Sequence, residues 1–129
     1  MKALNLQPNE RAALQTFLRQ IREVYSKAVV QTILFGSKAR GDSTPDSDID
    51  VLVILSDESG SIRSQILTTA SRISLDYDVL LNPIIISEGR YQRQQGFTFY
   101  QNAARDAISL TLKQGQLIFI PGMLLPPGG

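Results

Sequence analysis

Neither cysteine nor histidine occurs among the 129 residues. The first absence excludes disulfides and thiolate metal sites. The second excludes histidine triads and zinc sites with imidazole ligands, so a general base must be a carboxylate, a lysine or a tyrosine. A surplus of one charge is also lacking. Thirteen Lys and Arg against twelve Asp and Glu leave a formal net charge of +1. That balance gives no support for broad electrostatic binding to nucleic acid or to an anionic membrane. No apolar run approaches the roughly 18 residues that would suggest a membrane span, and Met1-Lys2-Ala3 does not lead into a signal-peptide core. The expected location is the cytoplasm. What is present is ordinary for a globular chain: 43% hydrophobic and 19% charged residues, in a length that fits one domain with a real core. The expected division is a single domain over 1–120 and an irregular or flexible tail over 121–129, where Pro and Gly cluster.

Periodicity outlines the elements. Leu14, Phe17, Leu18, Ile21, Val24 and Tyr25 recur at helical spacing, with Pro8 at the start, and predict an amphipathic helix over about 8–25. Val29 to Phe35 is rich in β-branched residues and reads as a strand. A second strand is expected at 48–55 and a second helix at about 61–75, carried by Ile62, Ile66, Leu67, Ala70 and Ile73. Val79 to Ile86 reads as a third strand, at an edge or bulged, because Pro83 donates no ladder hydrogen bond. Ser87 and Glu88 open a short polar helix that Gly96 stops, and Arg90, Tyr91 and Arg93 on it read as surface and core positions. Tyr100, Ala103, Ala104, Ala107, Ile108 and Leu112 predict a last helix over 97–113, before a short strand at 116–120. The order points to an α/β (α+β) fold, a small mixed β-sheet with helices packed on it.

The stretch Leu34 to Leu55 is the centre of the chain. Gly36 and Ser37 follow directly on the apolar run Ile33-Leu34-Phe35, and Asp48 and Asp50 head the run Val51 to Leu55. Positions two apart on a strand point to one face, so the two aspartates project side by side. Adjacent carboxylates repel unless something compensates. A hard cation such as Mg2+ does so and leaves room for phosphate oxygens. The Gly-Ser turn offers backbone N–H groups and a hydroxyl with little bulk. Between them runs a loop, 36–47, in which Asp42 and Asp46 read as turn formers. A brief helical turn over 37–41 would aim its N-terminus at phosphates.

Gly36-Ser37-Lys38-Ala39-Arg40-Gly41, then Ser47-Asp48-Ile49-Asp50 and an apolar strand, resembles the signature of the minimal nucleotidyltransferases of the DNA polymerase β superfamily, the MntA-like antitoxin group. The similarity runs over roughly residues 10 to 112. Where Lys38 stands the family often has Arg, which keeps the charge but not the bidentate geometry. The resemblance implies a polymerase β-like palm fold and transfer of a nucleotidyl group, with ATP or another nucleoside triphosphate as substrate and Mg2+, two ions, as cofactor. It implies Asp48 and Asp50 as metal ligands, and Gly36 and Ser37 as the phosphate cradle with Lys38 and Arg40 as nearby positive charge. Such sites recruit a third carboxylate, both metal ligand and proton acceptor. Asp78 is favoured because it borders the apolar run, with Asp76 as the alternative.

A chain this short has little room for an acceptor domain. The stand-alone members of the family are often paired with a helical HEPN-domain toxin, which implies an antitoxin that moves AMP to a hydroxyl of that partner. Two other readings compete: a non-catalytic nucleotide-binding antitoxin that acts by binding, and a small-molecule transferase of the aminoglycoside type. A homo-oligomer could also complete the site.

Overall fold

The computed structural model describes residues 6–42, 44, 47–57 and 60–122. Ser43, Pro45 and Asp46 of the long loop and the tail beyond Gly122 lie outside the described residues. The chain runs α1 (Pro8–Val24), β1 (Val29–Phe35), α2 (Gly36–Arg40), β2 (Ile49–Leu55), α3 (Gly60–Tyr77), β3 (Leu81–Ser87), α4 (Glu88–Gln94), α5 (Thr98–Asp106), β4 (Ile108–Lys113) and β5 (Gln116–Pro121). The five strands form one mixed sheet in the order β3-β2-β1-β4-β5. Only β2 and β3 run parallel; the other neighbours are antiparallel. The expected mixed sheet with packed helices is what the chain forms.

Alternation along the strands builds two cores. Ile49, Val51, Val53 and Leu55 of β2 point to one face and meet Leu14, Phe17, Leu18 and Ile21 of α1 and Ile66, Ala70 and Ile73 of α3. The four α1 residues are fully buried, and burying each stabilises the fold by about 1.5–3 kcal/mol before entropy is counted. Leu52 and Ile54 point to the opposite face, with Ile33, Phe35 and Ile86, under Tyr91 of α4 and Ala103 of α5. There Phe35 meets Phe99 edge-on at 5.7 Å, and Phe99 meets Tyr100 at 5.0 Å. Asp50 has the same parity as Leu52 and Ile54, so it stands on this second face.

Two expectations are corrected. The helix predicted over 97–113 divides at Ala107, whose backbone is extended (ψ 139°). Its second half is β4, which pairs with the open edge of β1, Thr32 opposite Leu110. Ile108, Leu110 and Leu112 also satisfy a period of two, and a sheet edge needing hydrogen bonds decides between the periods. Gln114 and Gly115, at φ 54° and 78°, then turn the chain into β5, as a tight two-residue hairpin requires. The second correction concerns β3, which begins at Leu81 and not at Val79, because α3 continues to Tyr77. Pro83 does lie on an edge strand, since β3 ends the strand order.

Candidate active site

The antiparallel register of β1 and β2 sets Phe35 opposite Asp50. The next residue, Gly36, therefore turns beside the Asp50 side chain. Gly36 has φ +76°, and a Cβ added to it would stand 2.5 Å from Asp50 Oδ2. Both facts require glycine: the left-handed backbone strains an L-residue, and a methyl group would collide with the carboxylate. Helix α2 starts at once, so the first N–H groups of Gly36, Ser37 and Lys38 have no acceptor within the helix. The Ser37 carbonyl accepts from Gly41 N (2.9 Å) and Asp42 N (3.2 Å). Gly41 closes the turn in the left-handed conformation.

Asp50 is half-buried. Its Oδ1 accepts a 3.0 Å hydrogen bond from Asn82 Nδ2 on the parallel strand β3, where the register places Asn82 directly opposite. Burial holds the Asp50 carboxyl above its usual range, and the Asn82 hydrogen bond works against that. The Asp48 charge raises it further and Arg40 lowers it. Asp48 is exposed just ahead of the strand. The strand start is pinned by Ile49 N donating to Leu80 O at 2.7 Å, and the buried Ile49 side chain leaves its two flanking aspartates on the other face. The Gly-Ser turn and the aspartate-headed strand thus meet at one end of the sheet.

Other expected site residues stand elsewhere. Lys38 is buried, its side chain 1% exposed, and its Nζ lies 2.7 Å from Glu10 Oε2. It also donates to the Thr44 carbonyl at 3.2 Å. Its charge is committed inside the fold and not to the solvent side of the turn, which corrects its reading as a phosphate contact. Glu10 in turn accepts from Gln7 N at 2.8 Å through Oε1. One carboxylate therefore joins the start of α1 to α2 and the following loop. Arg40 is exposed but engaged, 3.0 Å from Asp106 Oδ2 and 3.2 Å from Asp42 Oδ2. Those two hydrogen bonds, Asp106 first, raise its already high pKa. Asp76 is exposed in the last turn of α3, and Asp78 sits in a turn at φ 56°. Asp78 faces a polar hollow lined by Gln7, Asn9, Glu10 and Ser47. Neither joins Asp48 and Asp50, and among the described residues no three acids are grouped to hold a metal.

Sequence reasoning missed Glu10, Asn82 and Asp106 as parts of this neighbourhood. Glu10 signals only a helix start and Asn82-Pro83 only an interruption, because register and burial are not written in local pattern. The donor set still suits a hard divalent cation: two carboxylates and an amide, with no nitrogen-ring or sulfur donor. With so few protein ligands, nucleotide phosphates and water would complete its shell.

Comparison with known proteins gives the family and the fold. The nucleotidyltransferase domain family matches residues 14–108. A Methanocaldococcus jannaschii protein, "Putative protein adenylyltransferase MJ0604", is 30% identical over 76% of this chain and 94% of its own. A second from that organism, "Putative protein adenylyltransferase MJ0141", is 38% identical over 56% of this chain and 74% of its own. The fold is shared with a Sulfolobus solfataricus crystal structure described as a nucleotidyltransferase (TM-score 0.53, 18% identity, 83% of this chain and 84% of that one). It is shared too with a toxin–antitoxin structure containing AMP-PNP (TM-score 0.54, 18% identity, 78% and 74%). The MntA–HpeT toxin–antitoxin has the same fold (TM-score 0.53, 20% identity, 78% and 73%). A glycine forced against a strand-borne aspartate, a serine turn behind it and a family match spanning most of the sheet lead to one conclusion: this chain belongs to the nucleotidyltransferase domain family.

Proposed function

We propose that this chain transfers AMP from ATP to a hydroxyl group on a partner protein. The observation that carries the reading is the close approach of Gly36 to the Asp50 carboxylate, which sets the glycine-serine turn beside the aspartate pair with no side chain between them. In the reaction the acceptor oxygen forms a bond to the α-phosphorus, the bond from that phosphorus to the bridging oxygen breaks, and pyrophosphate leaves. The acceptor hydroxyl gives up its proton to water. Asp48 and Asp50 would hold Mg2+, whose chemistry is to offset charge on the phosphate oxygens. The first N–H groups of α2 and the Ser37 hydroxyl orient the β- and γ-phosphates, and alignment of this kind supplies much of the rate. Arg40 reaches phosphate only by leaving Asp42 or Asp106. A protein acceptor is supported by the names of the two M. jannaschii relatives, one matched over nearly its whole length. Two of the structural neighbours are toxin–antitoxin assemblies, which supports a toxin as the partner; the family resemblance would make it a helical HEPN-domain protein.

One observation favours a second reading, an antitoxin that holds nucleotide and acts by binding alone: no third carboxylate joins Asp48 and Asp50 among the described residues. Incubation with α-labelled ATP, Mg2+ and the co-purified partner separates the two. Transfer predicts a labelled partner, and label lost when Asp48 and Asp50 are both changed to Asn. An unlabelled partner that is still neutralised supports binding alone.

A further inference from the structure

Asn82 brings an amide, and no charge, beside the aspartate pair. The parallel register sets it directly opposite Asp50, one strand over and at the same end. It is an amide, and it is not idle: its Nδ2 lies 3.0 Å from Asp50 Oδ1. The direction of this hydrogen bond is fixed by chemistry, since an ionised carboxylate only accepts. Asp50 is therefore held through one oxygen and closely approached at the other. Oδ1 is held by the amide, and Oδ2 lies toward the bare α-carbon of Gly36.

We propose that Asn82 is a positioning residue that fixes the Asp50 carboxylate and limits this site to one divalent cation where a third carboxylate would admit two. This deepens, and rests on, the transferase reading. Two cations about 3.5–4 Å apart repel strongly and are held together by carboxylates that bridge them. A bridging aspartate offers both oxygens to metal. Here Oδ1 already spends one lone pair on an N–H group, and the neighbouring side chain brings no negative charge to offset a second cation. Asp48 and Asp50 would hold one ion, and water and phosphate oxygens would complete the open shell that Mg2+ prefers. Asp76 and Asp78 do not make up the deficit, being in the last turn of α3 and the turn after it.

The test counts ions and does not depend on transfer. Mn2+ is titrated into the full chain saturated with a non-hydrolysable ATP analogue, and free Mn2+ is read by electron paramagnetic resonance. The wild type binds one Mn2+ per chain, and Asn82→Asp binds two. Asn82→Ala still binds one, with affinity reduced about 10- to 100-fold, the usual effect of losing a residue that orients a metal ligand. Two ions on the wild type overturn the proposal, even if Asn82→Asp fails to fold. One ion on both the wild type and a folded Asn82→Asp also overturns it, because the limit then lies elsewhere. An unlabelled partner alongside a single bound ion would defeat the transferase reading and leave the assignment of Asn82 standing.

Discussion

Replacing Lys38 by Met is the most demanding perturbation this fold offers. Lys38 and Glu10 are 2.7 Å apart, with side chains 1% and 6% exposed. Solvent cannot take over for either partner. Losing the lysine leaves a buried carboxylate whose remaining contact is the Gln7 N–H at 2.8 Å. Breaking a buried pair from one side costs about 3–5 kcal/mol. For a domain of this size 1 kcal/mol moves Tm by about 3–5 °C, so a loss of about 10–20 °C is expected. Glu10→Gln should fall in the same range, because it strands the ammonium instead. The double variant Glu10→Leu with Lys38→Met removes both charges, and an apolar pair of similar volume should recover most of the loss. It still gives up the Gln7 hydrogen bond, which is worth about 0.5–1.5 kcal/mol. Chemical and thermal denaturation of the four proteins form a closed cycle. Nucleotide affinity, followed in parallel, should remain low in the double variant, because α1 no longer anchors α2 and the loop at Thr44. A Lys38→Met protein within 1 kcal/mol of wild type, or a double variant as unstable as the singles, would refute the reasoning.

Gly36→Ala combines a left-handed backbone with a Cβ at 2.5 Å from Asp50 Oδ2. It should cost about 1–2 kcal/mol in stability from the backbone alone, and displacing the carboxylate should lower kcat about 100-fold. Asp50→Asn should raise Tm while abolishing transfer. The folded-state pKa of Asp50 lies above its usual 3.8, so the protonated form is favoured in the fold. That contribution is complete below 3.8 and is lost as pH rises through the raised value. The Tm gain of Asp50→Asn should thus vanish in strong acid, open across that window and stay constant above it; an equal gain at every pH would point to another cause. Arg40→Ala should change stability by less than about 1 kcal/mol, because its ion pairs are exposed and salt-screened. If Arg40 does reach phosphate, KM for ATP should rise in that variant with little change in kcat, which steady-state kinetics would show.

Local pattern carried the centre of the candidate site. Gly36, Ser37, Asp48 and Asp50 lie in one short stretch, and a period of two is enough to pair the aspartates. Pro83 likewise announced an edge strand by the hydrogen bond it cannot donate. The resemblance gave Lys38 only as positive charge near the phosphates, and its ion pair with Glu10 could not be read because Glu10 is distant in sequence. The third acid was sought next to the apolar run at 79. Helix α3 runs two residues further than its apolar spacing requires, so Asp76 and Asp78 precede β3 and Asn82 takes the place opposite Asp50. The boundary between α5 and β4 was hidden for a related reason. Ala104, Ala107, Ile108 and Leu112 fit a helical face, and only the open flank of β1 selects the strand.

The position of β3 bears on what the chain can act upon. No strand of the described sheet lies outside it, so Asp50 is one strand in from the margin, with Asn82 beside it on that side. A reactive centre at the bottom of a cleft admits metabolites. One near a rim lets a hydroxyl arrive on the surface of another folded macromolecule, which need not unfold or thread a loop inward to present it.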